Sequence, residues 1–204
     1  MLTQDAHPTK KVLIECARQL IARNGVDAVT VDMVLAESGV SKGSLYHHFK
    51  DFDALIHTVQ IANFSEFVDE GIGFLEDALG RASSAEELRA NLYAVIERAH
   101  DPLRAPNRIE RARIVGSSGT ATEYTQALAQ EQERLRRRGE ELITQAQRRG
   151  WLNPTLSSQA LSSFILGFTF GRVLDDVCQT HVPASEWNAV VSQFMDRVLL
   201  AVDA

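Results

Sequence analysis

Residues 30–49 contain two short helical patterns that meet at a glycine, and this feature constrains the fold more than any other in the chain. Val31 and Leu35 are four residues apart, and Gly39 follows where a helix ends with positive φ. Ser41 then precedes a second pattern and can cap it, because its hydroxyl can accept a hydrogen bond from an unpaired backbone N–H. Two short helices joined by so tight a turn predict a helix-turn-helix motif.

The second helix of this motif has an apolar face and a polar face. Leu45 and Phe49 are four residues apart and are therefore expected to face inward. Since successive helical residues are about 100° apart, Gly43 and His47 lie on the opposite side. That outward side carries no bulky aliphatic residue, which favours a surface that contacts DNA.

Position on the helix predicts a role for each residue of this surface. We expect Gly43 to approach base edges through its backbone and His47 to reach them with a hydrogen bond. Residues on the flanks of the helix, and the hydroxyl or N–H at the start of the preceding helix, are expected to hold phosphates. The predicted DNA contacts are Thr30, Ser41, Lys42, Gly43, Ser44, Tyr46, His47, His48 and Lys50.

The residue types in this segment resemble those of a known family. The run Ser38-Gly-Val-Ser-Lys-Gly-Ser-Leu-Tyr-His-His-Phe-Lys50, with Thr30-Val31 before it and Ala54-Leu55 after it, resembles the DNA-binding head of TetR-family transcriptional regulators. The resemblance covers roughly residues 9–57, and beyond them only the helical layout matches. It implies a homodimeric regulator, most often a repressor, that binds a palindromic operator in double-stranded DNA and is released by a small molecule.

Two positions depart from the pattern of that family. Leu35 stands where a small alanine is usual inside the first helix of the motif. Phe52 stands where the fourth helix usually begins with a lysine, which typically contacts a phosphate. Lys50 is the nearest substitute for that contact.

The whole chain predicts an all-α fold. An N-terminal three-helix head, residues 1–54, is followed by a long connecting helix that begins near Phe52 and by a helical ligand-binding and dimerisation body, residues 55–204. Apolar residues keep helical spacing from Leu55 to Leu79, and no strand-like alternation appears. Further helices are predicted over residues 84–99, 107–115, 120–149, 157–178 and 185–202.

An arginine-rich run at residues 130–138 invites comparison with a nucleic-acid contact. Glu133 precedes Arg137 by four residues, and Arg136 precedes Glu140 by four. Opposite charges at this spacing pair along a helix, so we interpret the run as a solvated helix face.

The last two predicted helices are apolar on more than one face, so they must be buried on more than one side. A subunit interface explains this, and the resemblance implies a dimer. Gly167 and Gly171, one turn apart, allow another helix to approach closely, either from a second subunit or within the chain. The predicted interface residues are Phe164, Gly167, Gly171, Trp187, Val191, Phe194 and Val198.

The resemblance also implies a ligand pocket among the fifth to eighth helices. Polar and aromatic residues of those helices are the candidates, although the same helical spacing also fits an ordinary core. The predicted ligand-binding residues are Tyr93, Ile96, His100, Ile114, Tyr124, Phe164, Phe168 and Arg172.

The charge of the chain bears on its partners. A formal net charge of −6 argues by itself against nucleic acid, because nonspecific affinity comes from neutralised phosphates. An acidic body can nevertheless outweigh the lysines of the head, which are Lys10, Lys11, Lys42 and Lys50. Two alternatives stay open: a helical adaptor that uses the head for protein contacts, and a transcriptional activator with the same head.

Motifs of enzymes and metal sites are lacking. Gly116-Ser-Ser-Gly119 has the wrong spacing for a nucleophile elbow, and no phosphate loop, dinucleotide fingerprint or zinc helix occurs. Cys16 and Cys178 do not have the spacing of metal ligands. We expect no enzyme activity, no cofactor and no metal. Because no signal peptide or membrane-length apolar run is present, we expect a cytoplasmic protein without a membrane partner.

Overall fold

The computed structural model describes residues 7–117 and 122–200, and their regular structure is helical apart from one isolated bridge between Leu152 and Leu200. This confirms the predicted all-α fold. Short 3₁₀ turns lie at Val26–Ala28 and Pro102–Arg104, and α10 continues into a π-helical turn at Met195–Leu199. The helices are α1 Pro8–Asn24, α2 Val31–Ser38, α3 Lys42–His48, α4 Phe52–Gly80, α5 Ala85–Ala99, α6 Ala105–Gly116, α7 Glu123–Arg148, α8 Ser158–Gly171, α9 Val173–Asp176 and α10 Ala184–Phe194.

Local signals set the ends of the helices in the head. The side chain of Thr30 accepts a hydrogen bond from the N–H of Met33 at 3.4 Å, and Asp51 accepts one from Ala54 at 2.7 Å. Each bond satisfies a donor that the first turn of a helix leaves unpaired. Gly39 ends α2 with φ 65°, a backbone conformation that residues with a Cβ rarely adopt. The predicted helix-turn-helix is therefore formed by α2 and α3.

The head has one apolar core, to which α1, α2, α3 and the first turns of α4 all contribute. Leu13, Val34, Leu45 and Leu55 in this core have no exposed surface. Leu35, which differs from the family's usual alanine, is half-buried against the same core. The core extends along α4 as far as Val59, so α4 crosses the predicted domain boundary at residue 54 without a break.

The long helix α4 also belongs to the body, where α7 is the helix that it contacts most extensively. Phe64 and Val68 of α4 pack with Ile114 of α6 and with Tyr124 and Leu128 of α7. One continuous helix thus takes part in the core of the head and in the first core of the body.

Helices α7 and α8 approach each other closely at Gly139. A Cβ at this position would lie 2.6 Å from the hydroxyl oxygen of Ser162, which is closer than such atoms can come. The Ser162 hydroxyl is held in place because it donates a hydrogen bond to the carbonyl oxygen of Arg136 at 2.8 Å. Glycine is therefore required here by packing.

The C-terminal part differs from the prediction of one helix over residues 157–178. Helix α8 ends at Gly171, and the short α9 ends at Asp176. Arg172 is buried and donates to the carbonyl oxygen of Val182 at 2.9 Å, while Asp176 pairs with Arg108 of α6 at 2.6 Å. These contacts bridge segments that are distant in sequence, so helical periodicity does not register them.

The remaining predicted helices agree with the structure within a few residues. The predicted start of the long helix at Thr120 lies outside the described residues, and within them α7 is capped by Thr122, whose side chain accepts from the N–H of Thr125. The end predicted near Val202 also lies outside them. Among the helices in the described part of the chain, none is both long and apolar enough to cross a membrane.

Candidate nucleic-acid interface and interior cavity

The polar face of α3 is exposed, as its sequence predicts. Leu45 is fully buried and Phe49 is 5% exposed, whereas Tyr46 is 43% exposed. Gly43 and His47 are exposed on the side away from the core. A Cβ at Gly43 would meet nothing within 4 Å, so packing does not require this glycine and its backbone is accessible to a ligand.

Residues that flank this face lie at the helix ends. Ser41 caps α3 by accepting a hydrogen bond from the N–H of Ser44 at 3.2 Å, and its hydroxyl hydrogen stays available for an acceptor such as a phosphate oxygen. Thr30 is exposed at the start of α2 in the same way. Lys42 and Lys50 are exposed, and no carboxylate of the described residues lies within ion-pair distance of them.

Histidine rings gather at the C-terminal end of α3. The ring of His48 is 5.2 Å from that of His47 and 5.0 Å from that of His7, which precedes α1. Desolvation lowers the pKa of His48, and the nearby cationic groups of His7, His47 and Lys10 lower it further. A phosphate placed here would act in the opposite direction, because a negative charge favours the protonated ring. His7 was not predicted from the sequence, because its proximity to α3 is visible only in the fold.

The arginine-rich run on α7 is neutralised by acids, which confirms the predicted pairing of opposite charges along the helix. Arg136 pairs with Glu133 at 2.7 Å and with Glu140 at 3.0 Å, and Arg137 pairs with Glu133 at 3.0 Å. Hydrogen bonds from Arg136 and Arg137 lower the pKa of Glu133 to about 2. Arg138 pairs with Glu76 of α4 at 2.7 Å, so part of the run also ties α7 to α4.

An interior cavity of about 210 Å³ lies in the body, with walls from α4, α5, α6, α7, α8 and α10. Four predicted ligand-binding residues line it, namely Ile96, His100, Phe164 and Phe168. The other four are placed elsewhere. Tyr93 is hydrogen-bonded to Asp196 and Arg89, Ile114 and Tyr124 pack in the core around Phe64, and Arg172 stacks on Trp187 at 4.6 Å.

Polar groups of the cavity wall are few, and two of them are buried without partners. His100 is 1% exposed, and its Nε2 has no hydrogen-bond partner among the described residues. Desolvation lowers the pKa of His100 to about 4, and the positive charges of Arg108 and Arg172 act in the same direction. Arg111 also lines the cavity, and its Nε is buried without a partner in the described chain.

A surface on α8, α9 and α10, which shares Phe164 with the cavity wall, exposes apolar side chains. Phe164 is 51% exposed, Leu174 is 72% exposed and Val190 is 71% exposed. Gly167 and Gly171 lie on α8 with nothing within 4 Å of an added Cβ, so no helix of the described residues crosses there. We call the surface formed by Phe164, Gly167, Gly171, Leu174 and Val190 the α8/α10 face.

The other predicted interface residues are more enclosed. Val191 is only 4% exposed and packs with Leu161, so its side chain lies inside the protomer rather than on the α8/α10 face. Trp187, Phe194 and Val198 are half-buried. Phe194 contacts Phe164, with ring centroids 5.1 Å apart. Periodicity alone placed Val191 at the interface, because it does not tell which of several apolar faces the protomer itself covers.

Comparison with known proteins decides what the head is. Residues 13–59 match the sequence family described as bacterial regulatory proteins, tetR family. The match covers the helix-turn-helix and the start of α4. The head is that of a TetR-family transcriptional regulator.

Relatives of this regulator extend the likeness beyond the head. It is 25% identical over 179 residues to the HTH-type transcriptional regulator UidR of Escherichia coli K12, covering 84% of this chain and 83% of UidR. It is 31% identical over 98 residues to the HTH-type transcriptional repressor KstR2 of Rhodococcus jostii RHA1, covering 46% of this chain and 42% of KstR2.

Solved structures share the fold of the regulator over nearly its whole length. Salmonella enterica GusR is similar with a TM-score of 0.61 and 19% identity, covering 96% of this chain and 100% of GusR. The fatty acid degradation regulator FadR of Bacillus halodurans is similar with a TM-score of 0.63 and 16% identity, covering 94% and 96% of the two chains.

Most residues of the cavity wall were not predicted from the sequence, and Arg111 is the charged one among them. Arg111 lies in α6 between Arg108 and Arg113, and nothing in the spacing of these arginines shows which of them lines the cavity. Only the fold shows that Arg108 pairs with Asp176 and that Arg113 pairs with Asp27, whereas Arg111 lies between this cavity and a second one lined by Phe64 and Phe170.

Proposed function

We propose that the regulator is a cytoplasmic, ligand-responsive repressor that binds a palindromic operator as a homodimer and releases it when a small molecule enters the interior cavity. It acts by binding, without catalysis. The observation that carries the proposal is the exposed polar face of α3, held on a rigid core by the caps Thr30, Ser41 and Asp51. The names of relatives such as the repressor KstR2 support repression.

DNA reading is proposed to follow the geometry of α3. Gly43 and His47 face away from the core and would contact base edges in the major groove. Lys42, Tyr46, His48 and Lys50, with the hydroxyls and N–H groups of Thr30, Ser41 and Ser44, would hold the backbone. In a two-fold dimer the two α3 helices would enter successive major grooves about 34 Å apart, which accounts for a palindrome.

Selection of bound sites from random duplexes tests this proposal. The native protein should select a palindrome. His47→Ala should weaken the best site by about 1–3 kcal/mol and relax the preference at one or two base pairs of each half-site. Lys50→Ala is the matched control, because loss of a phosphate contact should weaken all sequences alike and flatten the salt dependence. Full retention of the native preference by His47→Ala would show that the residue does not read bases.

The α8/α10 face is proposed as the dimer interface. Phe164, Leu174 and Val190 of the terminal helices are each exposed by half or more, and exposed apolar patches mark interaction sites. Gly171→Leu should give monomers or aggregates, because the new side chain would project from the face without a clash inside the protomer. Gly171→Ala, which keeps a small residue, is the control. Light scattering that shows the native protein to be monomeric at micromolar concentration would overturn the proposal.

Release of DNA is proposed to act through α4. Phe67 and Phe74 of α4 line the cavity, and the same helix begins directly after α3. Head and body also meet at a stacked pair, His57 with Tyr124 at 4.2 Å, and at the ion pair of Arg113 with Asp27 at 3.2 Å. A ligand that changes the tilt of α4 would therefore change the separation of the two heads. Operator binding measured with and without ligand tests this step.

A further inference from the structure

The wall of the interior cavity is apolar except at a few side chains, and these divide into two kinds. Ser162 and Thr169 have partners, since their hydroxyls donate to the carbonyl oxygens of Arg136 and Ile165 at 2.8 Å each. His100 and Arg111 keep buried nitrogen atoms without partners among the described residues. Buried polar atoms are nearly always satisfied, so those that are not require an explanation.

His100 offers a hydrogen-bond acceptor to the cavity. Its Nδ1 lies 3.2 Å from Oδ1 of Asn188, and with the amide in this orientation Nδ1 donates the hydrogen bond and carries the proton of the neutral ring. The ring is neutral at pH 7, because burial lowers the pKa of His100 to about 4. Nε2 then carries no proton and has a free lone pair, in a side chain that is 1% exposed. It needs a donor, such as a hydroxyl, from whatever occupies the cavity.

Arg111 offers a positive charge. Its guanidinium carbon lies 5.8 Å from the ring centroids of both Phe64 and Phe170, and no carboxylate of the described residues lies within ion-pair distance. Its neighbours on α6 differ, since Arg108 pairs with Asp176 and Arg113 pairs with Glu110. In a desolvated place an anion stabilises a cation more than aromatic rings do. The Arg111 guanidinium is therefore suited to bind an anion from outside the chain.

We infer that the effector is a largely apolar molecule with an anionic group, such as a carboxylate, that pairs with Arg111 and a hydroxyl that donates to Nε2 of His100. This inference rests on the proposed role of the cavity as the effector site. An engineered cavity of about 150 Å³ holds benzene. The cavity of about 210 Å³ therefore accepts a somewhat larger molecule, on the order of ten non-hydrogen atoms.

Calorimetric titration of the full-length protein with eight-carbon probes tests the anion. Octanoate should bind about tenfold or more tightly than octan-1-ol, because a charge-assisted bond forms only with the acid. Arg111→Gln should remove this difference, and Arg111→Lys should keep part of it. Arg113→Gln is the matched control on the same helix, since Arg113 is already paired, and it should keep the full difference. Equal binding of the acid and the alcohol by the native protein, or no binding of octanoate at millimolar concentration, overturns the anion site.

Hydroxylated acids test the acceptor. Among octanoates with a hydroxyl at carbon 6, 7 or 8, at least one should bind several-fold more tightly than octanoate, because it satisfies Nε2 of His100. His100→Phe keeps the size and apolar character of the ring and should abolish this gain while leaving the acid preference. Thermal unfolding of each variant shows whether it is folded. A gain that persists in a folded His100→Phe protein overturns the role of His100.

Operator release, followed by fluorescence anisotropy of a labelled duplex, separates this inference from the proposed function. If acids bind through Arg111 but leave the operator bound, the ligand chemistry stands and the release mechanism fails. If octan-1-ol releases the operator as well as octanoate does, and Arg111→Gln changes nothing, release stands and the inferred chemistry fails.

Discussion

The head and the body of the regulator are packed by different rules. The head core is apolar throughout, and several of its side chains, including Leu13, Val34 and Leu45, have no exposed surface. The buried polar side chains in the described chain all lie after residue 59, namely Gln60, His100, Ser162 and Arg172. The body also encloses a cavity of about 210 Å³. The core of the head consists of apolar side chains, whereas the body, which we propose receives a ligand, keeps space for one.

Truncation of Leu45, the fully buried residue of α3, is expected to have the largest effect on the comparison between head and body. Leu45→Ala removes a fully buried side chain from the head core and should cost about 2–5 kcal/mol of unfolding free energy. Operator binding should be lost with it. The matched change in the body, Leu92→Ala, affects a half-buried residue of the cavity wall and should cost less. Denaturant unfolding followed by circular dichroism measures both, and equal losses would contradict the difference in packing.

Acid should weaken the body through His100. The pKa of His100 is lowered from 6.5 to about 4 in the folded protein, so the unfolded state takes up a proton first as the pH falls. The stability is therefore complete above pH 6.5 and decreases as the pH falls towards 4, by about 3 kcal/mol.

The control for this acid effect is His100→Phe, which should show a flatter pH profile in the same range. Asp176 loses its contribution only at lower pH, since bonding to Arg108 lowers the pKa of this carboxyl below its ordinary 3.8. Unfolding free energies of the native protein and of His100→Phe are measured at several pH values. The difference between the two pH profiles gives the contribution of His100. Parallel profiles would contradict the assignment.

Alanine substitutions at two glycines of the body are expected to change the unfolding free energy by intermediate amounts. Gly139→Ala should destabilise by about 1–3 kcal/mol, because the added Cβ would collide with the Ser162 hydroxyl. Gly73→Ala in α4 should stabilise by about 1 kcal/mol, since a Cβ there meets nothing within 4 Å and alanine favours the helix. Thermal unfolding distinguishes the two signs. A neutral Gly139→Ala would mean that α7 and α8 are less tightly joined than their contact indicates.

The smallest effect is expected at the contact between head and body. Arg113 pairs with Asp27 at 3.2 Å, but the Asp27 side chain is 93% exposed. Solvent-exposed pairs are worth about 0–1 kcal/mol. A double-mutant cycle of Arg113→Ala and Asp27→Ala should therefore give a coupling within this range that decreases with added salt. A coupling above about 2 kcal/mol would show that this contact is stronger than an exposed ion pair.

The head could be predicted from the sequence because its signals are local. The caps Thr30, Ser41 and Asp51 each bond an N–H three residues ahead, and Gly39 takes positive φ by itself. The outward face of α3 then follows from the buried positions of Leu45 and Phe49. His7 was missed because it meets His48 only after α1 has packed against α3.

The body was predicted less completely because its deciding contacts join distant residues. The predicted continuous helix over residues 157–178 is interrupted where Arg172 and Asp176 turn towards Val182 and Arg108. The same periodicity that predicted cavity residues also fits core residues, so Ile96 lies at the cavity and Ile114 lies in the core. Arg111 carries no signal in its spacing.

The ion-paired arginines of α7 have a consequence for how the molecule meets DNA. Glu133, Glu140 and Glu76 neutralise this run, whereas Lys42 and Lys50 beside α3 have no acidic partner in the described chain. With a net charge of −6 the molecule as a whole is repelled by a duplex. The field of the phosphates would therefore rotate the approaching protein until its lysine-bearing end leads. Charge placement would thus orient each encounter before any base is touched, and it would keep the body off the double helix.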